Sequence, residues 1–185
     1  MHDDVPTGAA PYLDVLQRYH TDITPHSGRH LIDHLLGVYR LLDTWGNAPE
    51  TCRAGLFHSI YGTNIFNVKS APFTERESIR VAIGDVAERL AFLFCVTDRP
   101  VAFLAAAAER NYALADTVHN ESIAITANEL RALIEIEVAN FCEQPEKPDD
   151  LRLIYNTIIA IERHGPLISS SARSALAASA SKSTP

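Results

Sequence analysis

Three histidines fall close together at His26, His30 and His34. A fourth, His58, closes the apolar run Ala54-Gly55-Leu56-Phe57, and Asp116 follows Leu114-Ala115 with His119 three positions on. His30 and His34 are four apart, so on a helix their imidazoles share one face, the spacing helical metal sites use. The same spacing also describes one core histidine bonded to backbone and one surface histidine. His58 has two readings of its own, an imidazole lining a cleft at a helix end or a side chain bonding the free carbonyls there. An aspartate embedded in an apolar helix is costly unless it is paired, binds a cation or serves as an N-cap. Two imidazoles and one carboxylate would form a three-point metal site with open positions for water or substrate.

These side chains need helices to position them. Apolar residues recur at helical spacing through most of the chain, while period-two alternation is hard to find, so the expected fold class is all-α. The pattern predicts helices over about Pro11–His20, Arg29–Trp45 and Pro49–Tyr61. Leu31, His34, Leu35, Val38, Leu41 and Leu42 form the inner stripe of the second, with Ser27 as its cap and Thr21–Gly28 a loop before it. Thr74 and Glu77 form a capping-box pattern for a helix ending near Gly84, Asp85 caps another reaching Val96, and Asp98-Arg99-Pro100 opens the next. The alanine run 105–108 in that helix allows close helix contacts, and Tyr112–Glu121 reads as helical. Thr126 and Glu129 are a second capping-box pattern, before a helix to about Glu143. After a turn over Pro145–Asp150, a last strong helix runs over about Asp149–Arg163. The expected organisation is one helical domain over residues 1–168 and a Ser/Ala-rich tail over 169–185, a weak helix or a frayed end.

Composition narrows the functions. With 46% apolar and 21% charged residues the chain is ordinary for a globular protein, and no window approaches the roughly 20 apolar residues of a spanning helix. The acidic start MHDDVPTGAAPYLDV lacks a secretory signal's basic and apolar regions, so the expected location is the cytoplasm. Cys52, Cys95 and Cys142 are too far apart for a paired metal motif and read as small buried hydrophobes. A net charge of −7 without a Lys/Arg cluster argues against nucleic-acid or anionic-membrane surfaces, leaving a small, anionic molecule as the expected partner.

Three ordered segments carry a family resemblance over roughly residues 10 to 130. They are Ser27-Gly28-x-x-Leu31-x-x-His34, then Ala54-Gly55-Leu56-Phe57-His58-Ser59, then Leu114-Ala115-Asp116-Thr117-Val118-His119-Asn120. Together they resemble the HD superfamily, in particular the (p)ppGpp hydrolase domain of Rel/SpoT-type stringent-response enzymes. That family has Ser-Gly-x-x-Tyr-x-x-His, a His-Asp pair followed by Glu-Asp, and Leu-Ala-Asp-Arg-Leu-His-Asn. The stretch from Ile83-Gly84-Asp85-Val86-Ala87 to Thr97 resembles the family's helix pair. The resemblance implies a helical bundle in which His34, His58 and Asp116 are three of four metal ligands converging on one cleft. The substrate-binding candidates are Arg29, Ser59, Thr63 and Asn120, and in a phosphohydrolase Arg29 or Arg53 would meet anionic oxygens.

The departures alter the expected chemistry. Ser59 stands where the family has the Asp of its His-Asp pair, and Gly62-Thr63 where it has the Glu-Asp pair that assists hydrolysis. Neither glycine nor threonine transfers a proton near neutral pH as a carboxylate does. His30, His119 or Asp33 would be substitute ligands, and Mn, Fe or Zn the candidate metals. The expectation is an altered metal-dependent phosphohydrolase acting on a small nucleotide or phosphorylated metabolite. Its alternatives are a non-haem iron oxygenase or lyase, and a non-catalytic descendant that binds a small ligand.

Overall fold

The computed structural model describes residues 5–144 and 148–181. Nine α-helices occur among them and helix makes up 62% of the structure, so the chain is mainly helical. Two short antiparallel hairpins depart from a strictly all-α fold. The chain forms two compact units, Met1–Val96 and Thr97–Pro185.

The first unit contains α1 (Leu13–Arg18), β1 (Pro25–His26), β2 (Arg29–His30), α2 (Leu31–Thr44), α3 (Pro49–Leu56), α4 (Arg76–Ile83) and α5 (Asp85–Val96). Ser27 is not a cap. It and Gly28 both take positive φ, +46° and +78°, which closes the β1–β2 turn and hands the cap of α2 to His30, whose amide donates to Asp33 at 3.3 Å. Leu31, Leu35, Val38 and Leu42 are fully buried on α2, each contributing about 1.5–3 kcal/mol by leaving water. Pro49 opens α3. The helix stops at Leu56 rather than Tyr61, so His58 lies in the turn that follows. The Thr74–Glu77 box does not form, because Glu77 pairs with Arg80 and a 3-10 turn, Phe73–Glu75, leads into α4. Gly84, at φ +91°, separates α4 from α5.

The second unit contains α6 (Val101–Glu109), β3 (Ala113–Asp116), β4 (Glu121–Ala124), α7 (Ala127–Glu143), α8 (Pro148–Ile161) and α9 (Ser170–Ser181). The expected helix over Tyr112–Glu121 is instead the β3–β4 hairpin, with Asp116 opposite Glu121 and Asn120 at φ +57° in the loop. The capping box of α7 is present: Thr126 Oγ1 accepts from the Glu129 amide at 3.1 Å and Glu129 from the Thr126 amide at 2.7 Å. Helix α6 packs against α7 and α8, as its alanines allow. Of the turn expected over Pro145–Asp150, residues 145–147 lie outside the described residues, as do 182–185 of the expected tail. The rest of that tail is α9, which packs on α7 and α8 and buries Ala172, Leu176 and Ala180. Glu162 accepts from the Leu167 and Ile168 amides at 2.9 and 3.2 Å and from Arg173 at 2.8 Å, which fixes the approach to α9. Among the described residues no single helix is long and apolar enough to cross a membrane.

Candidate functional site

His34 on α2 and His58 after α3 come together in the core of the first unit, each 1% exposed. Their Nε2 atoms are 3.3 Å apart. His58 Nδ1 lies 2.7 Å from the Gly55 carbonyl oxygen. A carbonyl only accepts, so Nδ1 carries a proton, and in the neutral form of His58 the Nε2 lone pair would point toward His34. Aromatic rings fix both imidazoles. His26 lies over His34 at 4.6 Å between centroids, Phe66 meets His26 edge-on at 4.7 Å, and Phe94 meets His58 edge-on at 5.2 Å. The Cys95 thiol donates to the His58 carbonyl at 3.1 Å.

The backbone around His58 is held from both sides. Gly55 lets α3 approach α2, since a Cβ there would collide with Leu42 and crowd Val38. Three residues beyond His58, the buried Tyr61 hydroxyl donates to Glu88 at 3.0 Å. Arg76 grips the same carboxylate through Nε at 2.7 Å and Nη2 at 2.9 Å while lying 3.4 Å from the Phe92 ring centroid. Burial first, and then the Glu88 charge, push the Tyr61 phenol well above its ordinary value, so it stays a hydrogen-bond donor. Burial likewise pushes the Cys52 thiol up to about 12 and Cys142 to about 11, in keeping with unreactive cysteines.

The other expected site residues divide sharply. Ser59 is buried, and its hydroxyl has no hydrogen-bond partner among the described residues. Thr63 Oγ1 accepts from the amides of Ile65 and Phe66 at 3.3 and 2.9 Å, a turn-forming role. Arg53 donates to the Ile83 carbonyl and to Glu50, so its guanidinium ties α3 to the end of α4. Arg29 is exposed on β2, and His30 and Asp33 serve the start of α2.

Asp116, His119 and Asn120 lie in the second unit. Asp116 Oδ1 accepts from the amides of Val118 and His119, each at 2.9 Å, and Oδ2 accepts from His119 Nδ1 at 2.8 Å. The carboxylate thus closes its own hairpin, which accounts for a buried aspartate without a cation. Among the described residues no group of three or more His, Cys, Asp or Glu is placed to hold a metal ion. The sequence flagged His26 only by its nearness to His34. Its stacking and the contacts of Phe66 and Phe94 are made through space and left no periodic signal.

The hairpin bond carries a pH prediction. Burial is the largest influence on Asp116 and acts upward, but the His119 and Val118 hydrogen bonds together hold its carboxyl below the ordinary value. A depressed folded-state pKa means the stabilisation is complete above the unfolded value of about 3.9 and is lost as pH falls through the folded value. Protection of the Val118 and His119 amides, measured relative to their intrinsic exchange rates at each pH, should therefore fall on acidification in the parent and show a weaker acid dependence in Asp116→Asn. Identical profiles would mean that this carboxylate does not hold the loop.

Residues 15–99, nearly the whole first unit beyond its start, match the family model for a domain of unknown function (DUF6817). No curated protein and no solved structure matches the chain.

Proposed function

We propose that the first unit carries a degenerate HD-type metal centre, with His34 and His58 as its nitrogen ligands, in a cytoplasmic phosphohydrolase acting on a small nucleotide or other phosphorylated metabolite. One observation supports this reading above the others, the 3.3 Å separation of two buried Nε2 atoms. Two nitrogens about 2.0–2.1 Å from one tetrahedral ion stand about 3.3 Å apart. The Gly55 carbonyl supplies the outer contact that fixes a ligating imidazole's tautomer and orientation. Ser59, next in the chain, has a buried hydroxyl in need of a partner. Such an ion, once bound, would polarise a phosphoryl oxygen and acidify a water. His34 and His58 hold the ion in this reading and their ring neighbours exclude water. Asp116, the carboxylate that the resemblance implies as a ligand, already accepts three hydrogen bonds in its own hairpin. The proposal therefore rests on the two histidines.

The same distance suits a single N–H···N hydrogen bond, which supports a second reading, a non-catalytic descendant that binds a small ligand. Elemental analysis of protein purified without chelator separates the two. The first reading expects about one zinc or manganese per chain, and His58→Ala should weaken uptake beyond the roughly 10- to 100-fold typical of losing an outer-shell partner. Iron would favour the oxygenase. A parent that takes up no ion on titration with Zn²⁺ or Mn²⁺ would overturn the metal centre.

A further inference from the structure

In the second unit Arg110, Tyr112 and Arg131 supply the polar side chains of one cavity of about 120 Å³, whose wall also includes Ala127 at the start of α7, Gly165 beyond α8 and apolar side chains such as Leu130 and Ile161. We propose that this cavity binds a phosphate-type oxyanion, as inorganic phosphate or as the phosphoryl group of a small metabolite. This site is separate from the His34–His58 centre and does not depend on the function assigned there.

The argument begins with charge. The chain has a net charge of −7, and several of its arginines meet carboxylates: Arg53 with Glu50, Arg76 with Glu88, Arg80 with Glu77 and Asp85, Arg99 with Glu137, and Arg173 with Glu162. Arg110 and Arg131 have no ion-pair partner among the described residues. Two arginines bordering one small concavity give it positive charge, which an anion would neutralise. The donor set suits an oxyanion, because guanidinium is a planar fork of donors and Tyr112 adds a hydroxyl.

The helix start acts in the same direction. In the capping box of α7 the Thr126 and Glu129 side chains serve the amides of residues 129 and 126. Ala127, which lines the cavity, is the first residue of α7, so the wall includes the positive end of that helix dipole. Size sets the ligand class. A volume of about 120 Å³ is below the roughly 300–1,000 Å³ of pockets that enclose drug-sized molecules, so it fits one oxyanion group and leaves the rest of a larger ligand outside. Arg110 is also held in place by its backbone, at φ +54° as the C-cap of α6, with its amide bonded to the carbonyls of Ala106 and Ala107.

The test titrates inorganic phosphate, glycerol phosphate and chloride, at matched ionic strength, into the full chain and into Arg110→Gln and Arg131→Gln, reading binding by calorimetry. Both arginines are exposed, so circular dichroism should show unchanged folds. Saturable phosphate binding that each substitution weakens about tenfold or more would support the site, that being the scale of a hydrogen bond to a charged group. Tighter binding of glycerol phosphate would identify a metabolite as the source, and tighter binding of phosphate the free ion. No binding up to about 10 mM phosphate, or binding unchanged in both variants, would overturn the proposal. Loss of metal at His34–His58 would leave all these results unmoved.

Discussion

Arg99→Ala is expected to destabilise the protein by about 3–5 kcal/mol, one of the largest effects of any single substitution outside the apolar core. Arg99 Nη1 donates to both carboxylate oxygens of Glu137 at 2.8 Å, and both side chains are 4% exposed. Removing the guanidinium leaves a carboxylate stranded in α7 beside Val138 and Ile136, which are fully buried. Burial already pushes the Glu137 carboxyl above its ordinary value, and only Arg99 opposes it. Without Arg99 the folded-state pKa rises further above the unfolded one. For an acid, that sign means the deficit is greatest at neutral pH and shrinks as pH falls and Glu137 takes up a proton. The double substitution Arg99→Met with Glu137→Leu removes both charges and should come back to within about 1 kcal/mol of the parent or exceed it. Denaturant unfolding at neutral and mildly acidic pH measures all three. A single variant within about 0.5 kcal/mol of the parent at neutral pH would show that the pair is solvated in solution.

Sequence patterns served best where a helix is specified locally. The Thr126–Glu129 box, the apolar stripe of α2 and the Gly84–Asp85 break each depend on residues within one or two turns, and each is present or nearly so. The Thr74–Glu77 pattern is equally local but lost to competition, because Arg80 takes the carboxylate that would have reached back to the cap. The hairpin at 113–124 was hidden for a different reason. Ala-Leu-Ala favours helix, and its strand burial alternates over only four residues, too few for a period of two to stand out. The loop is specified by Asp116 bonding forward to residues 118 and 119, a turn signal that the same aspartate, read as a ligand, concealed. Helix α9 was legible only as one of two alternatives, a weak helix or a frayed end, because alanines carry little apolar signal. It is fixed by Glu135 and Glu162, which meet the amides of Ser169, Leu167 and Ile168 from other parts of the fold. At the site, His34 and His58 were visible as polar residues on apolar runs. The rings that orient them come from segments whose sequence does not mark them as partners.

Phe94 is the most demanding of those rings. It is fully buried on α5 and presents its edge to His58, with ring planes 78° apart. Truncation to alanine should cost about 3–5 kcal/mol, since it removes the transfer energy of the ring and leaves a cavity that α3 and α5 can only partly close. Phe94→Leu keeps much of the volume and should cost distinctly less. The two variants also address function, because the cavity opens beside the imidazole whose Nδ1 is fixed on Gly55. If His58 is a metal ligand, loosening its ring should lower ion affinity about 10- to 100-fold, the range for losing an orienting contact, and more in Phe94→Ala than in Phe94→Leu. Calorimetric titration with Zn²⁺, run with thermal unfolding on the same samples, separates the two effects. Affinity that falls in step with ring volume while the protein remains folded ties the aromatic cage to the ion. Unchanged affinity in a destabilised Phe94→Ala would confine Phe94 to packing, and the orientation of His58 would then rest on the Gly55 carbonyl and its neighbour His34.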